Sequence, residues 1–112
     1  MKVLTKGHKY ELDGFEDIQN VQEIQFIEKV RRCEAPMMSP KDSDPNELIT
    51  LNDGTTNEEI LEMLIDRMYY LQNKFPCREN SIVITNLEES LMWLNKRTQD
   101  RINRNVEGKH LQ

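Results

Sequence analysis

A single proline decides how the longest patterned part of this chain can fold. Pro76 lacks a backbone N–H and disfavours helical geometry at the residue before it, so no helix runs through Phe75-Pro76. On each side of it the apolar residues recur at alternating spacings of three and four. Before it stand Leu61, Leu64, Met68, Leu71 and Phe75; after it stand Ile84, Leu87, Leu91 and Leu94, continued by Thr98. That spacing is the signature of one apolar stripe on a helix. The pattern therefore predicts two helices between Asn57 and Glu107, joined by the hinge Lys74-Phe75-Pro76-Cys77. The first starts at the capping run Thr55-Thr56-Asn57 and carries Glu58 and Glu59 where the helix dipole favours anions. It ends near Asn73 or Lys74. The second extends about 36 Å if it spans roughly two dozen residues at ~1.5 Å each. A connection this short makes the pair an antiparallel hairpin.

A lone hairpin cannot enclose two apolar stripes. A sheet from the N-terminal half or a second copy of the chain must cover them. In the N-terminal half, His8-Lys9-Tyr10-Glu11-Leu12 alternates as a strand does, with Asp13-Gly14 as a turn signal. Residues 22–32 (QEIQFIEKVRR) fit either a strand or a helical turn, and the β-branched Ile24, Ile27 and Val30 favour strand. Residues 35–46 hold three of the four prolines and form a loop. Residues 47–51 are a short strand, and Asn52-Asp53-Gly54 turns the chain into the first helix. Beyond Asn105 the second helix frays, with Gly108 as its stop and residues 109–112 as a tail. The expected fold class is α+β: a small N-terminal antiparallel β-sheet followed by a long antiparallel helical hairpin. At 112 residues the chain is a single domain, with a β-rich part over 1–54 and the hairpin over 55–108.

Charge narrows the function. The formal net charge is −5, which argues against general nucleic-acid binding. The charge is unevenly placed. Residues 1–95 hold ten Lys or Arg against eighteen Asp or Glu, net −8; residues 96–112 hold five against two, net +3. Positive charge thus gathers at the end of the second helix. Arg97, Arg101 and Arg104 follow at i, i+4 and i+7 and share a face, with Trp93 one turn earlier. Guanidiniums offer forked donors that match phosphate oxygens. The alternative is a solvated face near a helix C-terminus, which favours cations in any case. Arg78, Glu79 and Asn80 open the second helix, where free N–H groups attract anions and Asn80 can cap or touch a ligand. Tyr70 lies off the stripe of the first helix and is free to face a ligand or partner.

Catalytic constellations are poor. The two histidines, His8 and His110, stand near opposite termini, and Asp66, Glu88 and Glu89 read as solvated helix charges rather than a carboxylate cluster. Cys33 and Cys77 make neither a metal-ligand spacing nor a disulfide framework. No apolar run has membrane length and no signal peptide is evident, so the expected setting is cytoplasmic with reduced thiols.

The segments FPCREN, LMWLNKRTQDR and RNVEGKH, within the stretch from about Thr56 to His110, resemble the phage anti-Thoeris sponge proteins of the first described type. These share their helical hairpin domain with phage sponges of cyclic-oligonucleotide signals. The resemblance covers about half the chain, and the strand-like N-terminal half fits the family's small sheet in outline. It implies a binding protein without cofactor or metal, not an enzyme. Such a protein sequesters glycocyclic ADP-ribose, the signal of a TIR-domain enzyme, at the interface of a homodimer and leaves it intact. It implies too that three dimers can form a hexamer with separate sites for cyclic trinucleotides. Carried over, the signal pocket falls on Tyr70, Asn80, Arg97 and Arg101, with tyrosine where the family pattern has phenylalanine. Arg78 matches an arginine of the cyclic-trinucleotide site. The setting implied is the cytoplasm of an infected bacterial cell. The rival reading is an inhibitor that docks on a host defence protein through the hairpin.

Overall fold

The computed structural model describes residues 1–34 and 47–104. The expected loop over 35–46, the stop at Gly108, His110 and the tail over 109–112 lie outside them. Among the described residues five strands precede two helices, and these fall into two compact units, one over Met1–Thr56 and one that starts at Asn57 and holds both helices. This is the α+β class that the residue pattern predicts.

In the first unit β1 (Lys2–Thr5), β2 (Lys9–Leu12) and β3 (Gln22–Gln25) form an antiparallel sheet in that order. β1 is not predicted from the sequence, because Lys2-Val3-Leu4-Thr5 sets two apolar residues side by side and shows no strand alternation. Its place is fixed by the turn that follows, where Gly7 takes a left-handed φ of 79° and His8 N–H donates to Thr5 O at 2.9 Å. Tyr10 pairs with Val3 on one side and Ile24 on the other. Phe26 meets the Tyr10 ring edge-on, at 5.8 Å between centroids.

Residues 22–31 are extended, but they are not one strand, and Arg32 begins a 3-10 turn over Arg32–Glu34. β3 stops at Gln25, and β4 (Glu28–Arg31) pairs with β5 (Leu48–Asn52) in a separate two-stranded sheet. The break falls at Phe26-Ile27. There the backbone donors turn to different acceptors, Phe26 N–H to His8 O and Ile27 N–H to Thr55 O. Thr55 returns the favour by donating to Gln25 O at 2.8 Å. The close approach needs Gly54, because a Cβ there would stand 2.3 Å from Gln25 O.

The second unit is the hairpin: α1 (Asn57–Lys74) and α2 (Arg78–Asn103). α1 starts and stops where the capping run and Pro76 place its ends. α2 has 26 residues and so extends about 39 Å. The helices are antiparallel, since Tyr69 Oη donates to Glu88 at 2.9 Å and Gln72 Nε2 to Ser81 Oγ at 2.7 Å. Gln72 also ties down the hinge by accepting from Cys77 N–H at 3.0 Å.

The packed stripe of α2 is the predicted one, Ile84, Leu87, Leu91, Leu94 and Thr98, extended to Asn80 and Arg101. That of α1 differs. Leu61, Met68 and Leu71 turn inward, but Leu64 is exposed and Phe75, beyond the helix end, is 70% exposed. Ile65 packs instead. Both 61–64–68 and 61–65–68 satisfy helical spacing, and only the direction of α2 chooses between them. Ile84 is the one buried apolar residue among those described, at 6% exposure. Ile84→Ala is therefore expected to cost ~2–5 kcal/mol, read as a large drop in the melting temperature of the helical signal; Ile84→Val should lose a fraction of that.

Candidate functional site

The five residues singled out from the sequence fall into two groups along the hairpin. Tyr70, Arg78 and Asn80 stand towards the hinge. Arg97 and Arg101 stand near the far end of α2. At about 1.5 Å per residue, the seventeen positions from Asn80 to Arg97 span ~25 Å. One chain does not bring the two groups together.

At the hinge end, Tyr70 is 60% exposed on the side of α1 turned away from α2. This fits its position off the apolar stripe. Lys74 Nζ stands 6.0 Å from the centre of its ring, so the neighbourhood of that ring is electropositive. Arg78 is the first residue of α2 and is exposed. The cap of α2 is Cys77, not Asn80: Cys77 is extended, and its Sγ accepts from Asn80 N–H at 3.4 Å. The sequence leaves Asn80 either to cap or to touch a ligand, but the helix begins at Arg78 after an extended Cys77 whose N–H is held by Gln72, so Asn80 lies in the first turn. The Asn80 side chain, half-buried, is therefore free of capping duty.

At the far end the three arginines separate. Arg97 is exposed and forms no ion pair among the described residues. Arg101 is only 8% exposed and is engaged within the molecule. Arg104 closes the helix, its N–H donating to Asp100 O at 3.0 Å. The helical rotation explains the division. Arg101 lies three residues beyond Thr98 and continues the packed stripe, while Arg97 and Arg104 point outward with Trp93. Lys96 is held by Asp100 at 3.1 Å.

A groove of about 610 Å³ runs between the helices, lined by Glu62, Asp66 and Glu88 beside Ile65, Tyr69, Leu91, Met92 and Asn95. From the sequence Asp66 and Glu88 read as solvated helix charges; the fold places both on this groove with Glu62, while Glu89 is not among its lining. The bond to the Glu88 carboxylate, helped by partial desolvation, pushes the Tyr69 hydroxyl above its ordinary pKa. Three carboxylates make this groove unsuited to a phosphate, so the anion-binding residues and the groove are separate features. Among the described residues no set of three or more His, Cys, Asp or Glu is placed to hold a metal ion. No described helix is long and apolar enough to cross a membrane.

The sequence profile of the Acb2/Tad1 hairpin domain matches residues 40–99, which take in α1, the hinge and most of α2. The chain belongs to this family. Within the Acb2/Tad1 hairpin match lie Tyr70, Arg78, Asn80 and Arg97, and Arg101 follows two residues beyond it. The chain is also 57% identical over 58 residues to Thoeris anti-defense 1 of Bacillus phage SBSphiJ7. That alignment covers 51% of this chain and 41% of the relative, so the chain matches about two-fifths of that protein's length.

Proposed function

We propose that the protein is a phage anti-defence sponge. It binds the TIR-derived signal glycocyclic ADP-ribose, leaves it chemically intact, and so keeps the Thoeris effector from being activated in the cytoplasm of the infected cell. The observation that carries this reading is the family match over the hairpin, joined to 57% identity with a relative named for Thoeris anti-defence. The geometry supports it in one respect: Tyr70 and Arg97, a stacking ring and a forked cation, are both exposed.

Since ~25 Å separates the two groups in one chain, the site takes two. Two hairpins around a twofold axis set Tyr70 and Asn80 of one copy against Arg97 and Arg101 of the other. The arginines hold the two phosphates and Tyr70 stacks on the adenine. Arg101, held in place by its burial, loses little freedom on binding. Arg78 belongs to a second site, for cyclic trinucleotides, completed when three dimers form a hexamer.

One experiment separates the classes of function. The protein is incubated with glycocyclic ADP-ribose, freed of unbound ligand and heat-denatured, and the supernatant is analysed. Intact signal in the supernatant is the expected result. Altered nucleotide would mean an enzyme, and no retained nucleotide would leave an inhibitor that docks on a protein through the hairpin. Light scattering should find at least a dimer; a monomer at micromolar concentration with its helices intact would sink the shared pocket.

A further inference from the structure

We infer that Trp93 is a further ligand-contacting residue, a second stacking platform that works with Arg97 on the outer face of α2. The inference rests on the nucleotide-binding reading above and deepens it.

Trp93 is 56% exposed and makes no hydrogen bond or ring contact among the described residues. It is the largest side chain on α2, yet it lies off the packed stripe Ile84, Leu87, Leu91 and Leu94. An indole offers a large flat face for stacking, and on this outward face it is accessible. Its surroundings say to what chemistry. Arg97 lies four residues on, one turn away on the same face. The other cation one turn away, Lys96, is occupied by Asp100, and Ser90 on the opposite side bonds back to Asn86 O at 2.9 Å. The uncommitted groups on this face are thus the indole, the Arg97 guanidinium one turn on and the exposed Glu89 carboxylate one turn back, and the indole and guanidinium are the pair suited to a ligand. This is the donor set for a flat base joined to a phosphate.

The placement also agrees with the shared pocket. Trp93 is displaced from Arg97 by ~6 Å towards the hinge, on the side from which Tyr70 of the other copy approaches. The adenine then lies between two rings, Tyr70 of one copy and Trp93 of the other.

Trp93 is the single tryptophan of the chain, so its fluorescence reports on this site alone. Titration with glycocyclic ADP-ribose is expected to quench it with the same midpoint as calorimetry on the same sample. Trp93→Ala should bind roughly ten- to a hundredfold more weakly, as for loss of one stacked base, with melting temperature and scattering mass unchanged. Trp93→Phe should recover part of that loss. If calorimetry shows binding while the fluorescence stays constant and Trp93→Ala keeps the parent affinity, the platform is refuted and the sponge reading stands. If Trp93→Ala falls to a smaller species or melts much lower, Trp93 is an interface or structural residue and the inference is overturned. If the parent binds no nucleotide by calorimetry, the sponge reading fails and the platform with it.

Discussion

Arg97→Ala is expected to weaken glycocyclic ADP-ribose binding about a hundredfold and to leave the melting temperature where it was. Arg101→Ala is expected to lower both. The two arginines stand one turn apart on the same helix, and their burial separates the outcomes. Each charge-assisted hydrogen bond to a phosphate contributes ~1.5–3 kcal/mol, and ~1.4 kcal/mol is a factor of ten, so losing a two-bond fork costs at least about two powers of ten. Arg97 is exposed and forms no ion pair among the described residues, so its truncation breaks nothing inside the fold. Arg101 is almost wholly buried and engaged. Removing it strands the group it serves and opens space at the end of the packed stripe, and each of these destabilises. Lysine at position 97 should restore the charge but not the fork, and should recover only part of the affinity. Arg104, whose backbone N–H closes the helix, should tolerate alanine at either readout. Full affinity of Arg97→Ala by calorimetry would remove this residue from the site.

The second large effect is expected at Tyr70. Tyr70→Ala should bind the signal ten- to a hundredfold more weakly, since base–aromatic stacking is worth ~1–3 kcal/mol by alanine substitution. Tyr70→Phe keeps the ring face and should bind as the parent does. Neither should shift the melting temperature much, because the ring is 60% exposed and its one aromatic-face contact is with the Lys74 ammonium. Such a contact at an exposed site is worth ~0.5–1 kcal/mol. A core tyrosine would behave in the opposite way, with a loss of ~3–5 kcal/mol of stability on truncation to alanine. Thermal melts and titrations on the same two proteins distinguish the cases: a deep loss of melting temperature with affinity preserved would refute the platform.

Local rules carried the sequence a long way where each residue acts through its own backbone. Pro76 alone ended α1 and separated it from α2, because the missing N–H and the ring are properties of that residue wherever the chain goes. The alternating apolar spacing of α2 named its packed face in advance, and the position of Tyr70 off the stripe of α1 foretold its exposure. The grouping of Arg97 and Arg101 with Tyr70 and Asn80 owes more to resemblance than to spacing, since no rule of periodicity joins residues ~25 Å apart along a helix axis. The tertiary structure decided what periodicity leaves equivalent. Ile65 rather than Leu64 faces α2, residues 22–31 divide between two sheets, Cys77 rather than Asn80 caps α2, and Arg101 lies inside while Arg97 lies outside. In each case the sequence offers two acceptable local answers of similar energy. The choice belongs to groups outside the local pattern: the direction of the other helix, the acceptors at His8 and Thr55, and the Gln72 side chain that accepts from Cys77 N–H.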